Sequence, residues 1–292
     1  MDQLKTINYK LKTLFIVGPT ASGKSALAIE VAKSINGEII CADSRTVYTG
    51  LDVSTAKPTA TDRAEVPHWG LDLVKPDQSY SAADFKEYAQ SCIADIQKRG
   101  KIPIIVGGTG LYIDGLFYDF KFGPAKDTAQ RKKLEELSIE QLLAIISDKK
   151  LETPENSKNK RYLIRAIEQG GVNKQKNAPI KDALIIGLAP DRKILTKRIA
   201  DRAYKMLEDG ALKEAEWLFN TYGQEAPAAS SPFFKSYKPY FFEAKSIEEC
   251  TGQDIIKNRQ LAKRQLTWFK RNSNTKWFED TKDAHNFVIS QF

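Results

Sequence analysis

The sequence predicts an α/β fold: a parallel sheet covered by helices on both faces, interrupted by a helical insertion. Three observations carry this expectation. Short apolar runs alternate along the chain with stretches of helical periodicity. The runs lack the period-two alternation of a half-solvated strand, so they read as buried parallel strands. Residues 121–181 are helical in pattern and basic in charge, unlike the segments on either side. With 292 residues, 41% hydrophobic and 28% charged, the chain can bury a substantial core without staples. Its composition is not that of a disordered, collagen-like or coiled-coil protein.

Taken in order, Thr13–Val17 is a β-rich apolar run entering Gly18. Leu27, Ala28, Val31 and Ile35 then recur at helical spacing, giving strand, glycine-rich turn, helix. Residues 38–42 form a second buried run that ends at Asp43. Ser81 with Asp84 is a capping-box signature ahead of Phe85, Tyr88, Ala89, Cys92 and Ile96, and Gly100 stops that helix. Residues 102–106 are another strand, with Pro103 tolerable near its beginning. Ala183–Leu188 is one more, followed by a helix through Leu195, Ile199, Tyr204 and Leu207 that ends near Gly210. Helices are expected over 211–223 and 253–271, parted by the Pro/Ala/Ser stretch 226–232, with a short strand and a terminal helix in 276–292. The expected core is therefore 1–120 with 182–292, and 121–181 is the insertion.

The net charge of +8 is concentrated in two places. Residues 158–181 hold Lys158, Lys160, Arg161, Arg165, Lys174, Lys176 and Lys181 against Glu168 alone. Residues 253–277 hold Lys257, Arg259, Lys263, Arg264, Lys270, Arg271 and Lys276 against Asp254 alone. The remainder is net acidic, so the two segments point to a polyanionic partner such as nucleic acid, each phosphate contact releasing condensed counterion. In the second segment Lys257, Gln260, Arg264, Trp268 and Arg271 share a helical face, opposite Ile255, Ala262, Leu266 and Phe269. Such a stripe can contact phosphates and base edges and stack on an unpaired base; Trp268 as a packing residue fits equally. Cys41, Cys92 and Cys250 are scattered, with no CxxC or Cys/His cluster, which fits a reducing compartment. The longest early apolar run, residues 14–17, is too short for a signal peptide or membrane span, so a cytoplasmic protein is expected.

Gly18-Pro19-Thr20-Ala21-Ser22-Gly23-Lys24-Ser25 matches GxxxxGK[S/T] in full, between strand and helix as that motif requires. The core is thus expected to be P-loop NTPase-like. Backbone N–H groups and the helix dipole would hold a diphosphate or triphosphate, as in ATP-binding and other nucleotide-binding proteins. Lys24 adds a point charge and the Ser25 hydroxyl can ligate magnesium. The motif says nothing about what is done to the phosphate. Asp43 ends a strand at the carboxyl edge of the sheet, where open α/β folds bind ligands. It could hold magnesium through water, take a proton as a base, or cap a helix. Gly107-Gly108-Thr109-Gly110 follows another strand and permits close backbone approach. Arg198 and Arg202, at i and i+4, suit a phosphate clamp or an ordinary surface pair.

Six segments together resemble one family: GPTASGKS at 18–25, ADSRTVYTGLDVSTAKPT at 42–59, YSAADF at 80–85, GKIPIIVGGTGLY at 100–112, the helix carrying Arg198, Ile199, Arg202, Met206 and Leu207, and NRQLAKRQLTWF at 258–269. The chain is similar to the tRNA dimethylallyltransferases over nearly its whole length. The resemblance implies transfer of a dimethylallyl group from its diphosphate to the exocyclic N6 amine of the adenosine beside the tRNA anticodon, with Mg2+ as cofactor; nothing in the sequence demands more than a monomer. It implies that Gly18, Pro19, Thr20, Ala21, Ser22, Gly23, Lys24 and Ser25 hold the diphosphate, with Ser25 at the metal. Asp43, Lys24, Arg202 and Thr20 would be catalytic, Asp43 taking the proton from the amine. Asp43, Ser44, Arg45, Thr46 and Thr109 would line a channel for the flipped adenosine. Arg131, Arg161, Arg165, Arg259, Arg264, Gln265 and Trp268 would touch the anticodon stem-loop. The chain departs from the family pattern at Thr46, where glutamine is common, at Ser54 for a usual glycine, and at Lys235-Ser236-Tyr237-Lys238 for G-Y-[K/R]. The insertion is also short before Asn156. These departures bear on tRNA selection and turnover rather than on reaction type.

Overall fold

A computed structural model describes residues 12–123, 127–171 and 177–292. Lys174 and Lys176 of the first basic segment lie outside the described residues. The chain divides into two compact units, Met1–Phe117 with Ile180–Phe292, and Tyr118–Pro179.

The larger unit is built on an all-parallel sheet of six strands. β1 (Thr13–Val17), β2 (Gly37–Cys41), β3 (His68–Trp69), β4 (Ile102–Gly107), β5 (Ala183–Leu188) and β6 (Lys276–Phe278) lie in the order β3-β2-β4-β1-β5-β6. Every residue of β1, β2 and β4 is buried, which is why these runs show no alternation. Register does the positioning. Val17 stands opposite Gly107, and Cys41 opposite Val106, so the carboxyl ends of three adjacent strands finish level. Glu38 is the one charged residue inside these strands. Its carboxylate accepts from Trp69 Nε1 at 2.9 Å, Lys101 Nζ at 2.7 Å and the Arg99 guanidinium. The Arg99 bond, with Lys101 and Trp69 behind it, outweighs burial and holds the carboxyl pKa down at about 2.

The first helices of this unit are α1 (Lys24–Ser34), α2 (Ala60–Glu65), α3 (Ala82–Lys98) and α4 (Gly110–Phe117). The Ser81–Asp84 box caps α3 as the sequence predicts. α2 and β3 were not expected, because six and two residues are too few to show a period; a second capping box, Thr59 with Asp62, starts α2. The smaller unit consists of α5 (Thr128–Glu136), α6 (Ile139–Asp148) and α7 (Lys160–Gln169) around its own core of Leu134, Leu142, Ile146, Leu163, Ile164 and Ile167.

The chain then returns to the larger unit as α8 (Arg192–Glu208), α9 (Ala211–Tyr222), α10 (Pro232–Phe242), α11 (Ile247–Phe269) and α12 (Thr281–Ile289). Two of these differ from expectation. α10 follows the Pro/Ala/Ser stretch 226–232, where no helix was expected. Pro232 occupies the first helical turn, where a missing N–H is harmless, Ser231 caps it, and Phe233, Phe234 and Tyr237 anchor it in a second hydrophobic cluster despite Pro239. α11 begins at Ile247 rather than near 253, capped by Ser246 with Glu249. Among the described residues no helix is long and apolar enough to cross a membrane.

Candidate active site

The level ends of β1, β2 and β4 gather three loops at one edge of the sheet. The first, residues 18–23, leaves β1 and turns into α1. Gly18 is required by close approach: a Cβ there would stand 2.7 Å from the Leu188 carbonyl oxygen. Gly23 caps α1 and brings no side-chain acceptor, so the first N–H groups of the helix stay available to an anion at the positive end of its dipole. Lys24 folds back over the turn, Nζ donating to Pro19 O at 3.1 Å. Burial pushes the Lys24 pKa down to about 8, with Arg202 adding to the drop and Asp43 opposing it. Arg198 donates to Ser22 O at 3.2 Å. The predicted arginine pair therefore divides: Arg198 braces the turn, whereas Arg202 lines the cavity in front of it.

The second loop carries Asp43. No helix begins here, which removes the capping alternative. Oδ1 of Asp43 accepts from the Arg45 N–H at 2.8 Å, orienting the carboxylate. Ser44 N–H donates to Thr109 Oγ1 at 3.0 Å, and the Thr46 hydroxyl donates to Asp43 O at 3.3 Å. Arg45 reaches Ser230 Oγ at 2.8 Å. Asp43 is thus bonded to Arg45 and Thr46 within its own loop, while Ser44 ties that loop to Thr109 at the neighbouring strand end. The rest of this loop is held by two features the sequence reading missed. Lys57, its side chain fully buried, donates to Tyr48 O and Asp52 Oδ1 at 2.7 Å and to Asp72 Oδ1 at 2.6 Å. Glu214 of α9 accepts from the N–H groups of Asp52, Val53 and Ser54 and from the Ser54 hydroxyl at 2.6–2.9 Å. Ser54, a departure from the family pattern, adds a bond there rather than a disruption.

The third loop follows β4, and Gln265 of α11 ties it to the first. The Thr20 N–H donates to Gln265 Oε1 at 2.8 Å, while Gln265 Nε2 donates to Gly108 O at 3.0 Å. Gln265, expected at the tRNA surface, has both ends of its amide engaged within the protein. The Thr20 N–H is engaged with it, and Thr20 lines the cavity. Trp268 is half-buried, donates from Nε1 to Asp114 Oδ2 at 2.9 Å, and packs so close to Gly110 that a Cβ there would fall 2.4 Å from the indole. Arg271 stacks over the same ring at 5.8 Å. Arg259 and Arg264 are exposed on α11.

One cavity opens on the first two loops and on the end of β4 at Gly107. Thr20, Lys24, Ser25, Asp43, Arg45 and Thr46 line it from the sheet edge. From α8 and α11 come Arg202 and Asp254, with Met206 and Phe233 supplying an apolar wall. Burial lowers the Arg202 pKa, opposed by the charges of Asp254 and Asp43. Asp254 was missed as a site residue; its signal in the sequence is that it stands alone among seven basic residues. Arg131, Arg161 and Arg165 belong to the smaller unit. Arg131 Nη1 and Arg165 Nη1 pair with Glu168 at 3.0 and 3.1 Å, whereas Arg161 is exposed.

A glycine-rich turn leading into a helix, an oriented carboxylate and a buried arginine around one cavity define a P-loop-like α/β protein. The comparisons with known proteins name the group. The chain belongs to the IPP transferase family, whose model matches residues 46–272; an isopentenyl transferase model matches residues 11–67. A protein of Bacillus cytotoxicus named tRNA dimethylallyltransferase is 40% identical, covering 96% of this chain and 94% of that protein. Among solved structures, the full-length tRNA isopentenylpyrophosphate transferase of Bacillus halodurans superposes with a TM-score of 0.74 at 33% identity, covering 96% of each chain. A structure of a eukaryotic dimethylallyltransferase acting on tRNA gives a TM-score of 0.74 at 29% identity, covering 88% of this chain and 70% of that one.

Proposed function

We propose that this chain transfers a dimethylallyl group from dimethylallyl diphosphate to the N6 amine of the adenosine adjacent to the tRNA anticodon. The observation that carries the reading is the cavity lined together by Lys24, Ser25, Arg202 and Asp43, whose carboxylate is oriented by the Arg45 N–H.

The chemistry follows from those groups. The free N–H groups at the start of α1, with Lys24 and Arg202, bind the diphosphate and offset the charge that builds on it as the allylic carbon–oxygen bond breaks. The N6 lone pair forms the new carbon–nitrogen bond, the diphosphate leaves with the electron pair of the broken one, and the proton shed by N6 passes to Asp43. Because Asp43 Oδ1 is held by the Arg45 N–H, Oδ2 is the oxygen presented to that proton. The adenine must leave its stack to reach this point, and we assign its reception to Thr46, which lines the cavity, with Ser44 and Thr109 bonded to each other at the neighbouring strand ends.

The residues fit a magnesium ion bound jointly with substrate. Ser25 and Asp43 offer hard oxygen donors, and no group of three or more His, Cys, Asp or Glu side chains able to hold a metal alone occurs among the described residues. When bound, the ion would neutralise charge on the diphosphate.

Exposed Arg259 and Arg264 on α11 and Arg161 on α7 support a grip on the anticodon arm. We read the enzyme as a cytoplasmic monomer; its three free, buried cysteines fit a reducing compartment. Mass analysis of nucleosides after incubation with dimethylallyl diphosphate, magnesium and unmodified tRNA tests the reading. A five-carbon gain on adenosine is expected, and its absence overturns it. Asp43→Ala should lose most turnover while retaining diphosphate binding; equal loss of both would make Asp43 chiefly a magnesium-site residue.

A further inference from the structure

We infer that Glu214 is a positioning residue for the transfer: its carboxylate holds the start of the 52–58 loop and thereby fixes where the cavity wall of Ser54, Thr55, Ala56 and Pro58 stands. This deepens the function proposed above and rests on it.

Successive backbone N–H groups turned to one side make a concavity that takes an anion. The N–H groups of Asp52, Val53 and Ser54 make one here, and the chain supplies the anion itself. Glu214 Oε1 accepts from Asp52 at 2.9 Å and from Val53 at 2.8 Å, while Oε2 accepts from the Ser54 N–H at 2.8 Å and the Ser54 hydroxyl at 2.6 Å. Hydrogen bonds to a charged acceptor are shorter and stronger than neutral ones. Because Glu214 fills the concavity, it serves as an anchor and not as a phosphate subsite. One turn further along α9, the Trp217 indole lies against Gly50, so the helix grips the loop at two places.

The anchored segment carries its grip forward to the cavity. The Lys57 N–H donates to Asp52 O at 2.9 Å and the Ala56 N–H to Val53 O at 3.0 Å, which makes 52–57 one tight turn. Ala56 stands at φ 52°, a left-handed conformation that an alanine keeps only where its surroundings impose it. Ser54, Thr55, Ala56 and Pro58 then line the same cavity as Lys24, Asp43 and Arg202. The far end of the turn is tied down separately, through buried Lys57 to Tyr48 O, Asp52 and Asp72. Loss of Glu214 therefore frees the near end and lets the wall shift while the loop stays attached. A shift of about 1 Å at a wall that aligns two reactants can cost about a hundredfold in rate.

The test measures kcat, donor KM and thermal melting for wild type, Glu214→Ala, Glu214→Gln, Ser54→Ala and the Glu214→Ala/Ser54→Ala double variant. Rates are referred to sites titrated with inorganic pyrophosphate, so loss of folded protein cancels. Glu214→Ala should lower kcat per site about tenfold or more, and Glu214→Gln, which keeps one acceptor oxygen, should lower it less. Ser54→Ala should lower kcat about threefold on its own and have no effect once Glu214 is alanine, because the hydroxyl acts through that carboxylate. A Glu214→Ala enzyme that melts lower but keeps kcat per site within about twofold of wild type overturns the inference and leaves Glu214 a structural brace. So does a Ser54→Ala effect of equal size in both backgrounds, which would assign the hydroxyl to a substrate. Where Glu214→Ala does not fold, an unchanged kcat per site in both Glu214→Gln and Ser54→Ala overturns it. Wild type that transfers no dimethylallyl group refutes the function proposed above; transfer by wild type that Glu214→Ala matches per site refutes this inference alone.

Discussion

Replacing Gln265 by leucine separates two roles that its position on a basic helix would otherwise merge. The side chain keeps its volume but loses an acceptor for the Thr20 N–H at 2.8 Å and a donor to Gly108 O at 3.0 Å. Both partners are buried, Thr20 at 8% exposure, so neither regains water freely. A net hydrogen bond is worth about 1 kcal/mol, and a buried group left unmet costs more, so about 2 kcal/mol is at stake. Because both bonds hold loops that face the diphosphate, that energy is expected in donor handling: kcat/KM for the donor should fall about thirtyfold. The tRNA dissociation constant, measured by fluorescence anisotropy, should move less than about threefold, since exposed Arg259 and Arg264 remain to contact phosphates. Weakened tRNA binding with an unaltered donor KM would refute the reasoning and return Gln265 to the nucleic-acid surface.

Two further outcomes follow from the same geometry. Lys57→Met removes a buried cation bonded to Tyr48 O, Asp52 and Asp72; Asp52 and Asp72 are partly exposed and can rehydrate, so urea denaturation should show a loss of about 2–3 kcal/mol rather than the full cost of a broken buried pair. A loss below about 0.5 kcal/mol would mean the loop is held without Lys57. The second concerns pH. With its pKa down at about 8, Lys24 is charged below that value and neutral above it, so donor kcat/KM should fall as pH rises through about 8, while bound diphosphate, favouring the charged form, moves the fall in kcat to higher pH. For stability the sign is opposite: the folded state releases this proton before the unfolded chain does, so between about 8 and 10.5 this group's contribution rises with pH. A Lys24→Arg variant should lack the alkaline limb in kcat/KM; a limb that persists would assign it to another group.

The strand–turn–helix unit, the parallel strands and the residues flanking them were legible because each rests on local signals: continuous apolar runs, a glycine-rich turn, a capping box. Asp43 and Thr109 could be placed at one sheet edge for the same reason, since strand ends fix them. What was not legible depends on partners distant in sequence. Gln265 meets Thr20 across 245 positions and Glu214 meets Ser54 across 160, and no periodicity reports such pairs. α10 carries Pro232 and Pro239, and its helical face shows only where Phe233, Phe234 and Tyr237 are buried.

The two basic segments show how much a single exception in a charge pattern can hold. Each carries seven basic residues and one acid, and a solvated face has no need of that acid. Both acids prove to be buried, but they differ in what meets them. Glu168, with its side chain 3% exposed, is closed by Arg131 and Arg165 from its own unit, so its role is complete in the folded chain and the arginines it holds are ordered rather than free. Asp254 is equally buried, yet one of its oxygens has no partner and it faces a cavity. Burial with a full set of partners marks a residue that builds the structure. Burial with one oxygen open at a cavity wall leaves room for a partner that the folded chain does not itself supply.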